Sequence, residues 1–213
     1  MRESTTDRIS DLGLVPVVAI NDIDTAFQMM SSLIEGGLPC VEVTYRTPYA
    51  TKTIKNLSNH FPDALIGAGT VLTMKQARNA IDAGAKFVVS PGFDEEIVDF
   101  CIESETLVIP GCATATEIMR AIKKGLNIVK FFPAEQLGGT AIINALAAPF
   151  SNIKFVPSSG INANNLSGYL NCKHVLACSG SWMVKKSILE SGDYHKIKQL
   201  TEQAVCIVKG VRQ

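Results

Sequence analysis

The sequence predicts a (β/α)8 TIM barrel, an α/β fold with eight parallel strands inside a ring of helices, and with an extra N-terminal helix. Short apolar runs alternate with amphipathic segments along the whole chain, at the spacing of one βα unit. There are eight such runs, and eight is the number of strands that closes this barrel. The predicted strands are 14–20, 40–44, 65–68, 87–89, 107–109, 128–132, 153–156 and 175–177.

The segments between the runs have the pattern of amphipathic helices. After the first run, Asp22 fits an N-cap, and the apolar residues that follow share one helical face. Thr73 with Gln76, and Thr114 with Glu117, have the capping-box spacing that satisfies free N–H groups at the start of a helix. Glycines that precede the next strand fit the positions where helices end; they are Gly36, Gly37, Gly84 and Gly125.

The strands are expected to form a parallel sheet covered by helices, because each apolar run is nearly continuous. A doubly wound open sheet is the alternative to a closed barrel. The first βα unit lacks the G-x-G-x-x-G motif, which weighs modestly against the open sheet. Residues 1–12 predict the extra helix, and no linker rich in Pro, Gly or Ser interrupts the chain. We therefore expect a single domain, 1–213.

The composition is that of an ordinary globular chain, with 46% hydrophobic and 19% charged residues. The formal net charge is zero, so the chain has no electrostatic footprint for nucleic acid or an anionic membrane. The six cysteines are scattered without a C-x-x-C pair, as expected of reduced thiols in the cytosol. The opening residues lack the apolar core of a signal peptide, and no apolar run approaches membrane-spanning length. These features predict a cytoplasmic protein.

The second strand carries polar residues where a barrel core needs apolar ones. Because side chains alternate along a strand, Glu42, Thr44 and Arg46 share one face, and Val41 and Val43 face the helices. The carboxyl ends of barrel strands form the usual position of an active site. The alternative is an internal Glu42–Arg46 ion pair that only plugs the barrel mouth.

The sixth strand holds a lysine in an apolar run, 127–135, that ends near a proline. A buried ammonium is costly to desolvate unless it is paired or loses its proton. A neutral lysine is a nucleophile for carbonyl compounds. Lys130 is therefore either a nucleophile or a strand-end residue whose ammonium reaches water, and this run alone does not decide between the two.

Three further strand ends carry small and hydroxyl residues. The third strand ends in Gly-Ala-Gly-Thr, with Thr70 at the tip. The loops after the seventh and eighth strands are the usual phosphate position of this barrel, where backbone N–H groups bind an anion. Two loops without a ligand are the alternative. The candidate phosphate-binding residues are Ser158, Ser159, Gly160, Gly180 and Ser181.

Other familiar site types find no support in the sequence. The three histidines, His60, His174 and His195, are far apart, so a histidine-based metal site is not expected. No G-x-S-x-G elbow is present, and no cysteine has a histidine partner suggested by its sequence position. Trp182 is expected to serve packing.

The polar residues at the strand ends fit one chemistry. Lys130 can attack a ketone to form a covalent imine, an electron sink for carbon–carbon cleavage that requires no metal and no cofactor. Glu42 can move the protons that imine formation and bond cleavage require. Arg46, with Thr70, can hold a substrate carboxylate, since a guanidinium group matches its geometry with two parallel hydrogen bonds.

Two stretches, GLPCVEVTYR at 37–46 and GLNIVKFFPAEQLG at 125–138, resemble the signatures of the bacterial 2-keto-3-deoxy-6-phosphogluconate (KDPG) / 4-hydroxy-2-oxoglutarate (KHG) aldolases. The segments 67–70, 90–92 and 109–111 match that family in the same order. The resemblance implies a (β/α)8 barrel that is usually a homotrimer. It further implies Lys130 as the Schiff-base lysine for pyruvate, Glu42 as the proton shuttle, and Arg46 and Thr70 as carboxylate ligands.

Two positions depart from the family pattern and concern the far end of the substrate. Serines stand at Ser159 and Ser179, where the family usually has glycine close to the phosphate. Each added side chain either crowds the phosphate or donates a compensating hydrogen bond.

The leading hypothesis is a class I Schiff-base aldolase that releases pyruvate from a 2-keto-3-deoxy sugar acid, phosphorylated or not, such as KDPG, or from KHG. One alternative is a phosphate-binding barrel isomerase or synthase in which Lys130 acts only through its charge. The other is a non-catalytic barrel that binds a keto acid or phosphate.

Overall fold

Eight parallel strands form the centre of the computed structural model, which describes residues 4–212. The strands are β1 (Leu14–Val18), β2 (Cys40–Thr44), β3 (Leu65–Gly69), β4 (Phe87–Val89), β5 (Leu107–Ile109), β6 (Ile128–Phe131), β7 (Lys154–Pro157) and β8 (Cys178–Gly180). The helices are α1 (Thr5–Leu12), α2 (Ile23–Glu35), α3 (Ala50–His60), α4 (Met74–Asp82), α5 (Glu95–Glu103), α6 (Ala115–Lys123), α7 (Gly139–Ala147), α8 (Leu166–Leu170), α9 (Lys186–Ser191) and α10 (Tyr194–Arg212).

The strands close into a barrel, as predicted. Six of them pair continuously in the order β5-β4-β3-β2-β1-β8, and β6 pairs with β7. Backbone hydrogen bonds join these two groups at both seams. At one seam the N–H of Lys130 donates to the carbonyl of Pro110 over 2.8 Å, and at the other the N–H of Leu176 donates to the carbonyl of Phe155 over 2.9 Å. The open doubly wound sheet is thereby excluded.

The predicted position of the eighth strand, 175–177, is wrong. The paired strand lies three residues further along, where Leu14 pairs with Cys178 and Pro16 with Gly180. Val175 makes only an isolated bridge to Phe155. Val175 and Ala177 are buried and Leu176 is half-buried, whereas backbone pairing with β1 falls on Cys178, Ser179 and Gly180, which follow them. Apolar content therefore marked burial there and not the hydrogen-bonded register.

Helix boundaries follow the capping residues that the sequence indicated. The Asp22 carboxylate accepts a hydrogen bond from the N–H of Thr25 over 2.8 Å at the start of α2. At the start of α6, Thr114 and Glu117 form a complete capping box. These bonds satisfy N–H groups that a helix start leaves without intrahelical partners. Of the glycines predicted to end helices, Gly37, Gly84 and Gly125 have positive φ. Gly36 does not, so the left-handed residue after α2 is Gly37.

The core has two apolar layers. The larger lies between the strands and the surrounding helices and includes Val41 and Val43, as the alternation along β2 predicted. The smaller fills the barrel interior, and Ile9 of α1 packs into it fully buried. The extra N-terminal helix thus covers one end of the barrel and leaves the carboxyl ends of the strands open at the other. Of the predicted helix 1–12, residues 1–3 lie outside the described part of the chain.

Between residues 4 and 212, no helix has the length and apolar character needed to cross a membrane.

Candidate active site

A cavity of about 390 Å³ opens at the carboxyl ends of the strands. It is lined by every site residue that the sequence indicated: Glu42, Arg46, Thr70, Lys130, Ser158, Ser159, Gly160, Gly180 and Ser181. Residues from five strands and the loops that follow them therefore meet in one place. The cavity has the position and the mixed polar lining of a small-molecule site.

Lys130 lies near the end of β6 with only 6% of its surface exposed. Its Nζ is 3.8 Å from Oε1 of Glu42 and 5.3 Å from the centre of the Phe132 ring. Both backbone groups of Lys130 are committed across the seam between β5 and β6, to Pro110 and Cys112. The strand thus fixes the backbone, and the amine is directed into the cavity beside a carboxyl group.

Glu42 projects from β2 into the same cavity and is 1% exposed. Neither of its carboxyl oxygens has a hydrogen-bond partner among the described residues. A buried polar atom without a partner costs free energy, so such atoms indicate a bound ligand or a catalytic function. Gly69 on the adjacent strand makes room for this carboxyl group, because a Cβ there would overlap it.

Arg46 is held at the cavity by a short chain of hydrogen bonds. Its Nε donates to Oγ1 of Thr44 over 3.1 Å, and the Thr44 hydroxyl donates to the carbonyl of Val18 over 2.8 Å. No ion pair joins Glu42 to Arg46 in the described part of the chain. The internal pair considered as an alternative is therefore absent there, and Arg46 lines the cavity without an ion-pair partner among the described residues. Sequence reasoning had placed Thr44 on this face without seeing that it supports Arg46.

Thr70 adopts a left-handed backbone conformation with φ of 54°. This conformation is unusual for a β-branched residue and costs on the order of 1–3 kcal/mol. The following N–H, of Val71, donates to the carbonyl of Val89 over 3.2 Å and secures the turn. Local strain of this kind is concentrated at functional sites, and here it lies at the cavity wall.

The loops after β7 and β8 lie side by side, joined by a bridge between Ser158 and Ser179. The N–H of Ser158 already donates to the carbonyl of Phe131 over 3.0 Å. In the described structure, no backbone acceptor pairs with the N–H groups of residues 159–161, which lie at the cavity wall. The cavity lining extends across to Gly180 and Ser181.

Ser159 has φ of 81°, a conformation that favours glycine. Its hydroxyl donates to Oε1 of Gln136 over 3.2 Å. The side chain is thus bonded to a neighbouring loop, and Gln136 helps to hold the strained backbone in place.

Several lining residues were not proposed as site residues from the sequence, among them Val17 and Phe132. Phe132 lies two residues after Lys130, so strand alternation alone would have placed it on the same side. Its peptide bond to Pro133 is cis. Within residues 4–212, no group of three or more His, Cys, Asp or Glu side chains is arranged to hold a metal ion.

The family model "KDPG and KHG aldolase" matches residues 5–200 of the chain. The 2-dehydro-3-deoxy-phosphogluconate aldolase of Treponema pallidum is 47% identical over 195 residues, 92% of this chain and 93% of that protein. The KHG/KDPG aldolase of Escherichia coli K12 is 40% identical over 192 residues, 90% of each chain. Among solved structures, the KDPG aldolase of Legionella pneumophila, with pyruvate captured as a covalent carbinolamine, superposes with a TM-score of 0.91 at 36% identity. It covers 94% of this chain and 98% of that one.

Proposed function

Since the chain belongs to the KDPG and KHG aldolase family, a family of carbon–carbon lyases, we propose that its cavity performs Schiff-base cleavage with Lys130 as the nucleophile. The aldolase activity splits KDPG into pyruvate and glyceraldehyde 3-phosphate, and KHG into pyruvate and glyoxylate. The observation that carries the residue assignment is the buried amine of Lys130, 3.8 Å from an otherwise unpartnered Glu42 carboxyl group.

In the first step, the Lys130 ammonium gives a proton to the Glu42 carboxylate, and the resulting amine attacks the C2 ketone of the substrate to form a carbinolamine. Glu42 donates a proton to the carbinolamine hydroxyl, which leaves as water and gives the iminium. Glu42 is the group placed for this transfer, because its carboxyl group lies beside Nζ and has no competing hydrogen-bond donor in the described structure.

In the second step, the Glu42 carboxylate accepts the proton of the C4 hydroxyl. The bond between C3 and C4 breaks, its electron pair moves toward the iminium nitrogen, and an aldehyde leaves. The resulting enamine takes a proton at C3, and hydrolysis of the iminium releases pyruvate and restores Lys130. One carboxyl group thus serves each proton transfer in turn.

The two ends of the substrate are held by different parts of the cavity. Arg46, supported by Thr44, and Thr70 bind the carboxylate next to the ketone. At the other side, the free N–H groups of residues 159–161 and the loop at Gly180 and Ser181 receive the phosphate of KDPG. The two ends of the cavity therefore suit a small keto acid that carries one anionic group at each of its own ends.

Turnover of KDPG and KHG by the unmodified protein and by Lys130→Met tests this proposal. Pyruvate release is followed with lactate dehydrogenase and NADH. The unmodified protein should cleave at least one substrate, and Lys130→Met should lose activity by a factor on the order of 10³ or more. Lys124→Met is a matched control, since Lys124 pairs with Asp99 outside the cavity. Full pyruvate release by Lys130→Met would show that another group performs the cleavage, and absent turnover with retained binding would favour the non-catalytic alternative.

The homotrimer implied by the family resemblance remains a proposal, as does the cytoplasmic location. Large apolar side chains are exposed around the third to sixth βα units, and Leu72 and Met119 are exposed by 57% and 51%. Surfaces of this kind are typical of contacts between subunits. Light scattering coupled to size-exclusion chromatography should give three chain masses, and a single chain mass would contradict the trimer.

A further inference from the structure

A hydrogen bond outside the cavity links helix α8 to the segment that follows β6, next to the loop assigned to the substrate phosphate. The hydroxyl of Tyr169, on α8, donates to Oε1 of Glu135, which follows β6. Tyr169 is 3% exposed, so its hydroxyl has few alternative partners. Neither residue lines the cavity that holds Lys130; both line a separate cleft behind it. The reaction described above uses neither.

The backbone around Glu135 is attached to the loop after β7. The N–H of Ala134 donates to the carbonyl of Ser158 over 2.8 Å, and the N–H of Glu135 donates to the carbonyl of Ser159 over 3.3 Å. The stem of the Glu135 side chain packs so closely on Gly160 that a Cβ at Gly160 would overlap it. The Glu135 side chain therefore packs directly against a segment that lines the cavity.

The same segment is held from the other side by α8. The side-chain amide of Asn165 donates to the carbonyl of Gly160 over 3.0 Å. Asn165 is the residue just before α8, and its carbonyl accepts the N–H of Tyr169 over 3.2 Å. Gly160 is thus enclosed between Glu135 and the start of α8, and the Tyr169–Glu135 hydrogen bond joins these two supports.

We propose that Tyr169 and Glu135 are positioning residues, which hold the Ser159–Gly160 backbone in the strained conformation that receives the substrate phosphate. The proposal rests on the phosphate end assigned under the proposed function. Ser159 and Gly160 both have positive φ, 81° and 82°. Glycine adopts such a conformation freely, but a serine in it is strained and needs support from neighbouring residues. Bonds that restrain the loop before binding reduce the ordering cost when phosphate arrives.

The donor is suited to this role over a wide pH range. Burial, together with the hydrogen bond to Glu135, raises the pKa of the Tyr169 hydroxyl. The phenol therefore remains protonated, and remains a donor, at every pH at which the enzyme would be assayed.

Tyr169→Phe removes the hydroxyl and keeps the ring. We expect KM for KDPG to rise about tenfold, the effect of losing one hydrogen bond to a charged group, with kcat changed less than about twofold. KM for KHG, which carries no phosphate, should stay the same. Tyr45→Phe is the matched control, because it removes a tyrosine hydroxyl that bonds Thr51 outside the cavity, and it should leave both KM values unchanged.

Substitutions at Glu135 test the acceptor independently and decide the question if Tyr169→Phe fails to fold. Glu135→Gln retains an oxygen that accepts from Tyr169, and it should keep KM for KDPG within about threefold. Glu135→Ala removes that oxygen and the contact with Gly160, and it should raise KM at least as much as Tyr169→Phe. Rescue by glutamine is an outcome that a general loss of stability would not produce.

Unchanged KM for KDPG in both Tyr169→Phe and Glu135→Ala would overturn the proposal, as would an equal rise of KM for both substrates. Borohydride trapping of pyruvate on Lys130 is measured on the same proteins. If the variants still form the borohydride adduct and their KM for KDPG is unchanged, the positioning role is refuted and the proposed function is not. Trapping that fails in the unmodified protein refutes the proposed function instead.

Discussion

Lys130 and Glu42 illustrate how much of this site depends on the absence of competing partners. Both groups are buried, they lie 3.8 Å apart, and no donor binds the carboxyl oxygens among the described residues. The Glu42 carboxyl group is therefore free to exchange a proton with the amine and with a substrate bound beside it. The proposed chemistry therefore rests on one pair of side chains.

Replacing Glu42 by glutamine should remove proton transfer and leave the shape of the cavity intact. We expect kcat for KDPG to fall by a factor on the order of 10²–10⁴, because general acid–base catalysis contributes about that much. Binding of pyruvate, followed through the fluorescence of the sole tryptophan, Trp182, should change little. A glutamine variant with unmodified kcat would show that the proton carrier is another group.

Gly69 tests whether the position of Glu42 matters as much as its chemistry. A Cβ at Gly69 would overlap the Glu42 carboxyl group, so Gly69→Ala should move the carboxyl group and reduce kcat at least about tenfold. Gly210→Ala is the control, because open space surrounds that position on α10. The kcat of the two variants is compared by steady-state kinetics, after circular dichroism has shown that both are folded like the unmodified protein. Equal activities would contradict the close approach.

Ser159 tests the first departure from the family pattern. Ser159→Gly removes a side chain from a backbone with φ of 81°, so backbone strain should fall, while the hydrogen bond to Gln136 is lost. If the side chain crowds the phosphate, KM for KDPG should decrease relative to KM for KHG. A KM for KDPG that stays the same would count against crowding, and a KM that increases would indicate that the hydroxyl assists phosphate binding.

The cysteines should be inert except one. Burial raises the pKa of the Cys112 thiol to about 12 and that of Cys101 to about 11, so neither forms a thiolate near neutral pH. Cys206 is exposed. Iodoacetamide at pH 7.5 should therefore modify the folded protein once, at Cys206, without loss of activity, as checked by intact mass and peptide mapping. Modification of Cys112, which adjoins Lys130 through a backbone hydrogen bond, would contradict its burial.

Among the elements of the fold, side chains alternate along each strand, so that some pack in the core and others reach the active-site cavity. Odd positions of β2, Val41 and Val43, pack under the helices, and Glu42 faces the barrel axis. The end of the barrel closed by α1 contains apolar residues, and the open end contains the polar ones. Stability and catalysis are thus assigned to opposite ends of the same strands.

Ile9 of α1 tests this division. Ile9→Ala should lower the free energy of unfolding by about 2–5 kcal/mol, because it leaves a cavity in the barrel interior. Its kcat should remain the same, since the active site lies at the other end. Ile34→Ala on α2 is the control, as that side chain is 37% exposed, and it should cost less than about 1 kcal/mol. Urea unfolding of the three proteins gives the comparison, and an equal effect of the two substitutions would refute the closing role of α1.

For the whole molecule, the period of the apolar runs predicted eight βα units and favoured the barrel over the open sheet, and strand alternation placed Glu42, Thr44 and Arg46 on one face. Strand alternation and the carboxyl-end rule need only local sequence. The position of β8 was missed because backbone pairing with β1, and not apolar content, determines it. Tyr169 and Glu135 were missed because their contact joins residues 34 positions apart, and no local pattern reports such a contact.

In the proposed mechanism Lys130 forms the covalent bond to the substrate, and reduction with borohydride makes that bond permanent and detectable. Pyruvate and sodium borohydride are added to the protein, and the modified peptide is identified by mass spectrometry. If Lys130 is the nucleophile, we expect one reduced pyruvate adduct, on Lys130, and loss of aldolase activity in proportion to the amount of adduct. An adduct on another lysine, or undiminished activity after complete reduction, would contradict it.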